Sequence, residues 1–178
     1  LISGDSFTGS FTGAFSTAKV GTGKTETITS SYIVADTGNY SVTDQSSTTA
    51  DISTKALTAT ASASNKTYDG ATTATTTLTF SGLVGSETLG QTVGSTFDNK
   101  NVGSNKTVTV NSITLADGSN GGLAANYSIS AGQTTTADIT AKSLTVSGIT
   151  ASNKTYDGST NVTLDASSVA YSLSLIHI

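Results

Sequence analysis

The chain has 178 residues, a formal net charge of −4, and no Cys, Met, Pro or Trp; its eight basic residues are all Lys. Without Cys there is no disulfide framework and no thiolate metal site, and without Arg or a basic stripe there is no footprint for a phosphate backbone, which excludes nucleic-acid binding. No run reaches the ~18 apolar residues of a membrane helix, so direct membrane insertion is not expected. No basic-then-apolar leader opens the chain, and the missing Met marks it as an internal fragment. Ser and Thr make up about a third of the residues, yet Val, Ile, Leu, Phe and Tyr recur at regular intervals, unlike a disordered composition. Thr and Val suit a pleated, half-buried surface, while Gly, Asn and Asp suit tight turns. The composition predicts an all-β fold.

Along the chain, Lys55–Ala63 alternates apolar and small polar residues, as a strand does. A turn follows at Asn65–Gly70, then an extended run over Thr73–Leu83 carrying Leu78, Phe80 and Leu83. The stretch VGSETLGQTVGSTF (84–97) predicts one or two short strands. Lys106–Leu115 alternates at Val108 and Val110, then resumes out of phase at Ile113 and Leu115, which predicts a bulge near Asn111. After a Gly-rich loop, Asn126–Ile139 closes the unit. Short strands with turn signals every ~8–12 residues point to an antiparallel β-sandwich of immunoglobulin-like type. No helical period is evident.

The same text is written more than once. NYSV at 39–42 returns as NYSI at 126–129, and TTADISTKALT at 48–58 as TTADITAKSLT at 135–145, both at an offset of 87. SNKTYDG at 64–70 returns at 152–158 with one residue inserted, and KVGTGKT at 19–25 matches NVGSNKT at 101–107 with five missing from a loop. The period is too long for a solenoid coil and suits a small domain. Residues 1–53 then form the C-terminal part of one unit, 54–140 a complete unit, and 141–172 the start of a further one. The six residues Leu173–Ile178 (LSLIHI) break from the pattern and read as the translation of a transposon-derived sequencing adapter. They stand outside the fold argument, and with them His177, the only His.

Within the hexapeptide NKTYDG, Asp-Gly is a turn dipeptide, because Gly accepts positive φ and Asp bonds its own backbone. Tyr68–Asp69–Gly70 and Tyr156–Asp157–Gly158 are therefore structural-motif residues, each Tyr placed to cover the end of a small core. Together with GLVGSE, FDNKNVGSNKTVTV, NYS and TTTADITAKSLTV in that order, the hexapeptide resembles the YDG repeat of large bacterial surface adhesins of the filamentous-haemagglutinin type. That resemblance implies tandem arrays, related to immunoglobulin-like and MBG repeats, on secreted or outer-membrane-associated proteins. It implies no catalytic residues.

Other constellations are weaker. With His177 set aside, no triad or carboxylate pair assembles, so no enzyme is expected. No cofactor is expected either. FDNKN (97–101) and LADGSNGG (115–122) offer loop oxygens for an inter-domain calcium ion but lack the spacing of a calcium loop. Asn39, Asn65, Asn105, Asn126, Asn153 and Asn161 head N-x-[ST] triplets and are candidate glycosylation positions. Lys55 and Lys142 read as strand-edge lysines that discourage edge pairing. Two function classes follow: a stalk that spaces a distal adhesive region from the cell, or a module that binds host or bacterial surface glycans or proteins by avidity. The second would use Tyr32, Tyr40 and Tyr127 as contacts. For either, the expected partners include the neighbouring repeats of the same chain.

Overall fold

A computed structural model describes residues 3–34 and 39–173; of the segment Leu173–Ile178, all but the first residue lie outside the described ones. Along the described residues the strands are β1 (Phe7–Phe15), β2 (Gly21–Val34), β3 (Ser47–Ile52), β4 (Lys55–Ala56) and β5 (Thr58–Ala63). There follow β6 (Lys66–Thr67), β7 (Thr73–Ala74), β8 (Thr76–Ser81), β9 (Leu89–Phe97), β10 (Gly103–Asp117) and β11 (Tyr127–Ser128). The last are β12 (Thr134–Thr140), β13 (Leu144–Ser147), β14 (Thr150–Ala151), β15 (Leu164–Asp165) and β16 (Ala170–Leu173). Among the described residues the helical content is a single 3₁₀ turn at Ala124–Asn126. The chain is all-β, as its composition requires. Contacts group it into two compact units, one of residues up to Thr60 with Thr79–Thr92 and Ile113–Ser130, the other of Ala61–Leu78, Val93–Ser112 and residues from Ala131 on.

In the first unit β1, β2 and β3 form an antiparallel meander, with Phe7 opposite Val34 and Phe15 opposite Glu26. The register of β2 against β3 slips between Gly21 and Lys24. Gly23 takes up the slip at φ +58°, and its N–H donates to Asp51 Oδ1 at 2.7 Å. Elsewhere in this unit β4 runs parallel to β11, with Lys55 opposite Tyr127. Among the described residues its buried apolar side chains are Leu57 and Tyr127, each 6% exposed.

The second unit is organised by a five-stranded sheet of order β6-β12-β10-β9-β7. Its core is thin: Phe97, Val108, Ala137 and Ile139, with Ala63 and Ala74 packed against them. Strand alternation explains the choice, since Val108 and Val110 of β10 and Ala137 and Ile139 of β12 point to one face while Thr neighbours point away. The only fully buried side chains of any size among the described residues are Ile139, Val108 and Val110. Between Gly103 and Lys106 the register of β10 against β12 slips, at Asn105 with φ +51°. The Asn105 N–H donates to Asp138 Oδ1 at 2.8 Å. Gly23 and Asn105 are the residue types that enter the left-handed region at least cost.

One expectation needs correction. The strand pairing is not purely antiparallel, because β4 pairs with β11 and β6 with β12 in parallel. Parallel partners require a long connection between them, and here most of the 54–140 span separates them in sequence. The break in phase between Val110 and Ile113 does appear, as two exposed residues in succession, Asn111 and Ser112. β10 continues through them as one strand; a separate slip, against β12, lies at Asn105, whose left-handed backbone absorbs the extra residue.

Because so few side chains fill the core, truncating one should be felt strongly. Ile139→Ala is expected to lower the unfolding free energy by about 2–5 kcal/mol. Ile33→Ala, at a position 75% exposed, should stay within about 0.5 kcal/mol of the parent. Urea unfolding of the two variants checks this, and equal midpoints would contradict the assigned core.

Candidate functional site

The hexapeptide at 65–70 forms a closed clasp. Lys66 Nζ donates to Asp69 Oδ1 at 2.8 Å, to the Ala71 carbonyl at 2.8 Å and to the Thr73 carbonyl at 3.0 Å. Asp69 Oδ1 also accepts the Ala71 N–H at 2.9 Å. The chain turns between them at Gly70, φ +83°, where a side chain would be strained. Lys66 and the Ala71 amide together hold the Asp69 carboxyl below the ordinary carboxylate range. Above the clasp the Lys66 ammonium lies 5.6 Å from the centroid of the buried Phe97 ring, within cation–π reach.

Backbone and amide bonds tie the clasp to the sheet. Tyr68 N–H donates to the Thr140 carbonyl at 2.9 Å, and Asn65 Oδ1 accepts the Asp138 N–H at 2.7 Å. The second hexapeptide builds the same clasp from its own residues. Lys154 Nζ donates to Asp157 Oδ1 at 2.8 Å and to the Ser159 carbonyl at 2.9 Å. Asp157 Oδ1 accepts the Ser159 N–H at 2.9 Å, and Gly158 turns at φ +73°. Lys154 and Ser159 lower the Asp157 carboxyl in turn.

The tyrosines depart from expectation. Tyr156 is 93% exposed and covers no core, whereas Tyr68 is 37% exposed and lines the second unit's groove. It is the Lys of each hexapeptide, three residues ahead of the Asp, that organises the motif; the i, i+3 Lys–Asp spacing was the available signal. Tyr127, expected as an exposed contact, is buried. Its hydroxyl donates to Glu87 Oε2 and accepts the Val84 N–H at 3.1 Å, and the Glu87 carboxylate raises the phenol above its ordinary value. Tyr32 and Tyr40 lie nearer the surface, bonded to Asp44 and Asp5.

Two open grooves accompany these features. The first unit has one of about 490 Å³ lined among others by Val20, Lys55, Val84, Glu87, Asn126 and Tyr127. Its wall is fastened by the Val20 N–H, which donates to Asn126 Oδ1 at 3.0 Å. The second unit has one of about 460 Å³ lined by Tyr68, Asp69, Gly70, Val102, Lys142 and Leu144. Among the described residues Glu87 is the carboxylate lining the first, where it accepts the Tyr127 hydroxyl.

The loop oxygens considered for calcium serve internal bonds. Asp98 meets Lys106 Nζ at 2.8 Å and the Asn99 N–H at 2.9 Å, and Asp117 Oδ1 accepts the Ala124 N–H at 2.8 Å. Among the described residues no three His, Cys, Asp or Glu gather as a metal site would require. Of the N-x-[ST] asparagines, Asn39, Asn65, Asn105, Asn153 and Asn161 are exposed, whereas Asn126 is half-buried at the groove wall.

Asp69, Asp98 and Asp157 all have depressed folded values. Such groups contribute stability that is fully present above their unfolded value and lost as pH falls through the folded one. Unfolding midpoints in urea should therefore hold level down to about pH 5 and decline below about pH 4. Lys66→Met should flatten part of that decline, and stability that increased on acidification would contradict the clasp.

Comparison with known proteins adds one finding: the YDG domain family matches residues 53–137 and, again, 140–175. No curated protein and no solved structure matches.

Proposed function

The chain belongs to the YDG domain family, and from that premise we propose that it is a non-catalytic stalk segment of a bacterial adhesin. The adhesin is of the filamentous-haemagglutinin type, secreted or held at the outer membrane. Its tandem immunoglobulin-like units, repeating about every 87 residues, space a distal adhesive region from the cell surface. The observation that carries this reading is the family's recurrence, with one match beginning at residue 53 and the next at residue 140. A spacer needs units that repeat, resist sticking and hold their own shape. The charged groups of the repeated motifs support this, since they bond within the chain: Lys66 to Asp69, Lys106 to Asp98, Lys154 to Asp157.

The second reading, a module that binds surface glycans or proteins by avidity, draws on the ring cluster of β1 and β2. There Phe7 and Phe11 lie 5.1 Å and 5.9 Å from Tyr32, centroid to centroid, and Phe11 is 62% exposed. Exposed rings of this kind stack on sugars or aromatics. Burial of Tyr127 removes one of the three contacts that reading would use.

An array of glycans and matrix proteins probed with the recombinant chain separates the two. A spacer leaves the array blank at micromolar concentration, while reproducible binding that Phe11→Ala abolishes would replace the spacer with the binder.

A further inference from the structure

We propose that Lys106 and Asn99 become joined by a side-chain amide bond, Nζ to Cγ, with Asp98 moving the protons and ammonia as the product. The cross-link goes beyond the spacer reading and does not depend on it.

The three groups close on one another. Lys106 Nζ lies 2.8 Å from Asp98 Oδ1 and donates to Asn99 Oδ1 at 2.8 Å. The second Asp98 oxygen, Oδ2, accepts from Asn99 Nδ2 at 3.1 Å. One carboxylate thus touches both the amine and the nitrogen that must leave. Asn99 Oδ1 also accepts the Asn101 N–H at 3.0 Å. A C=O bond of about 1.2 Å separates that oxygen from Cγ, so Nζ lies within about 4 Å of the carbon and a small rotation brings it to the ~3–3.5 Å of attack. The Lys106 side chain is 9% exposed. Its stem runs beside Gly103, where an added Cβ would sit 3.4 Å from Lys106 Cδ. Asp98 and Asn99 are exposed at the mouth of this slot, so ammonia leaves directly into water.

The balance needs no co-reactant. The Lys106 ammonium passes a proton to Asp98, leaving a neutral amine beside a carboxylic acid. The amine lone pair forms the Nζ–Cγ bond while the C=O π pair moves to Oδ1, where the Asn101 N–H meets the charge. Asp98 gives its proton to Nδ2 and takes one from Nζ. The π bond reforms, the Cγ–Nδ2 bond breaks, and the departing ammonia carries off the proton left on Asp98. Lys106 holds the Asp98 carboxyl below the ordinary carboxylate range, so the neutral pair is the minor form and the reaction is slow.

The repeat supplies a comparison within the chain. FSTAKVGTGKT (15–25) corresponds to FDNKNVGSNKT (97–107). Lys24 lies beside Gly21 at the same 3.4 Å and donates to the Thr17 carbonyl and Oγ1, each at 2.7 Å. Ser16 and Thr17 stand where Asp98 and Asn99 stand, so these positions offer Lys24 neither a carboxylate nor a side-chain amide. The slot for the lysine is common to both copies, and the reactive pair belongs to one.

Intact-mass measurement of the full chain, kept folded at neutral pH for days and then denatured, tests the cross-link. The parent is expected to lose the mass of one ammonia, about 17 Da. Trypsin should then leave Lys106 uncleaved and release residues 67–100 joined to residues 101–142. Lys106→Arg and Asp98→Ala should keep the full mass, whereas Lys24→Arg should show the same loss as the parent. A parent that keeps its full mass overturns the proposal. So does a loss that persists in Lys106→Arg, which would mark an asparagine cyclising on its own backbone.

Discussion

Lys66 is the residue on which the second unit turns. Its ammonium lies 5.6 Å from the centroid of Phe97, the ring of a core built from four buried side chains, and closes the YDG loop through Asp69 and two carbonyls. One ammonium can do both because it carries three N–H donors and a charge that a ring face attracts. In a larger core the loop and the ring would be stabilised independently. Here one side chain couples them, so the turn that carries the motif and the apolar centre of the sheet order together.

A core so thin shifts the weight of folding onto backbone pairing and onto polar side chains that complete it. Asn65, Asn105 and Asp138 show how. The Asp138 N–H donates to Asn65 Oδ1 while Asp138 Oδ1 accepts from Asn105, so one β12 residue fastens both the hexapeptide and the bend at the start of β10. The corresponding bend in β2 uses Gly23 and Asp51 with the same donor and acceptor roles. Exposed as they are, these bonds are individually modest, and the structure relies on their being numerous and local.

How much of this the sequence disclosed depends on which physical rule each residue obeys. Alternation is local, so Val108 with Val110 announced a buried strand face, and Asp-Gly announced positive φ at Gly70 and Gly158. Strand direction is not local: nothing in KA or KT says that these short segments lie parallel to YS and IT near the other end of the span. The role of Tyr127 was hidden for a related reason, since its hydroxyl partner Glu87 is far away in sequence and a Tyr in a polar stretch looks like surface. Lys66 differs, because its partner Asp69 lies only three residues on and the pairing is local.

Pairing first strands with last also determines what kind of stability such a unit has. Bringing Lys55 to Tyr127 closes a long loop before the contact rewards it, a cost that grows slowly with length but is met at the outset. A unit built this way gains little from being half formed, because its early strands stay open until the late ones arrive. In an array of nearly identical units the late strands of any neighbour are chemically acceptable substitutes, the condition under which tandem domains exchange elements. What favours the proper partner is proximity along the chain, which gives it a higher effective concentration than any other copy.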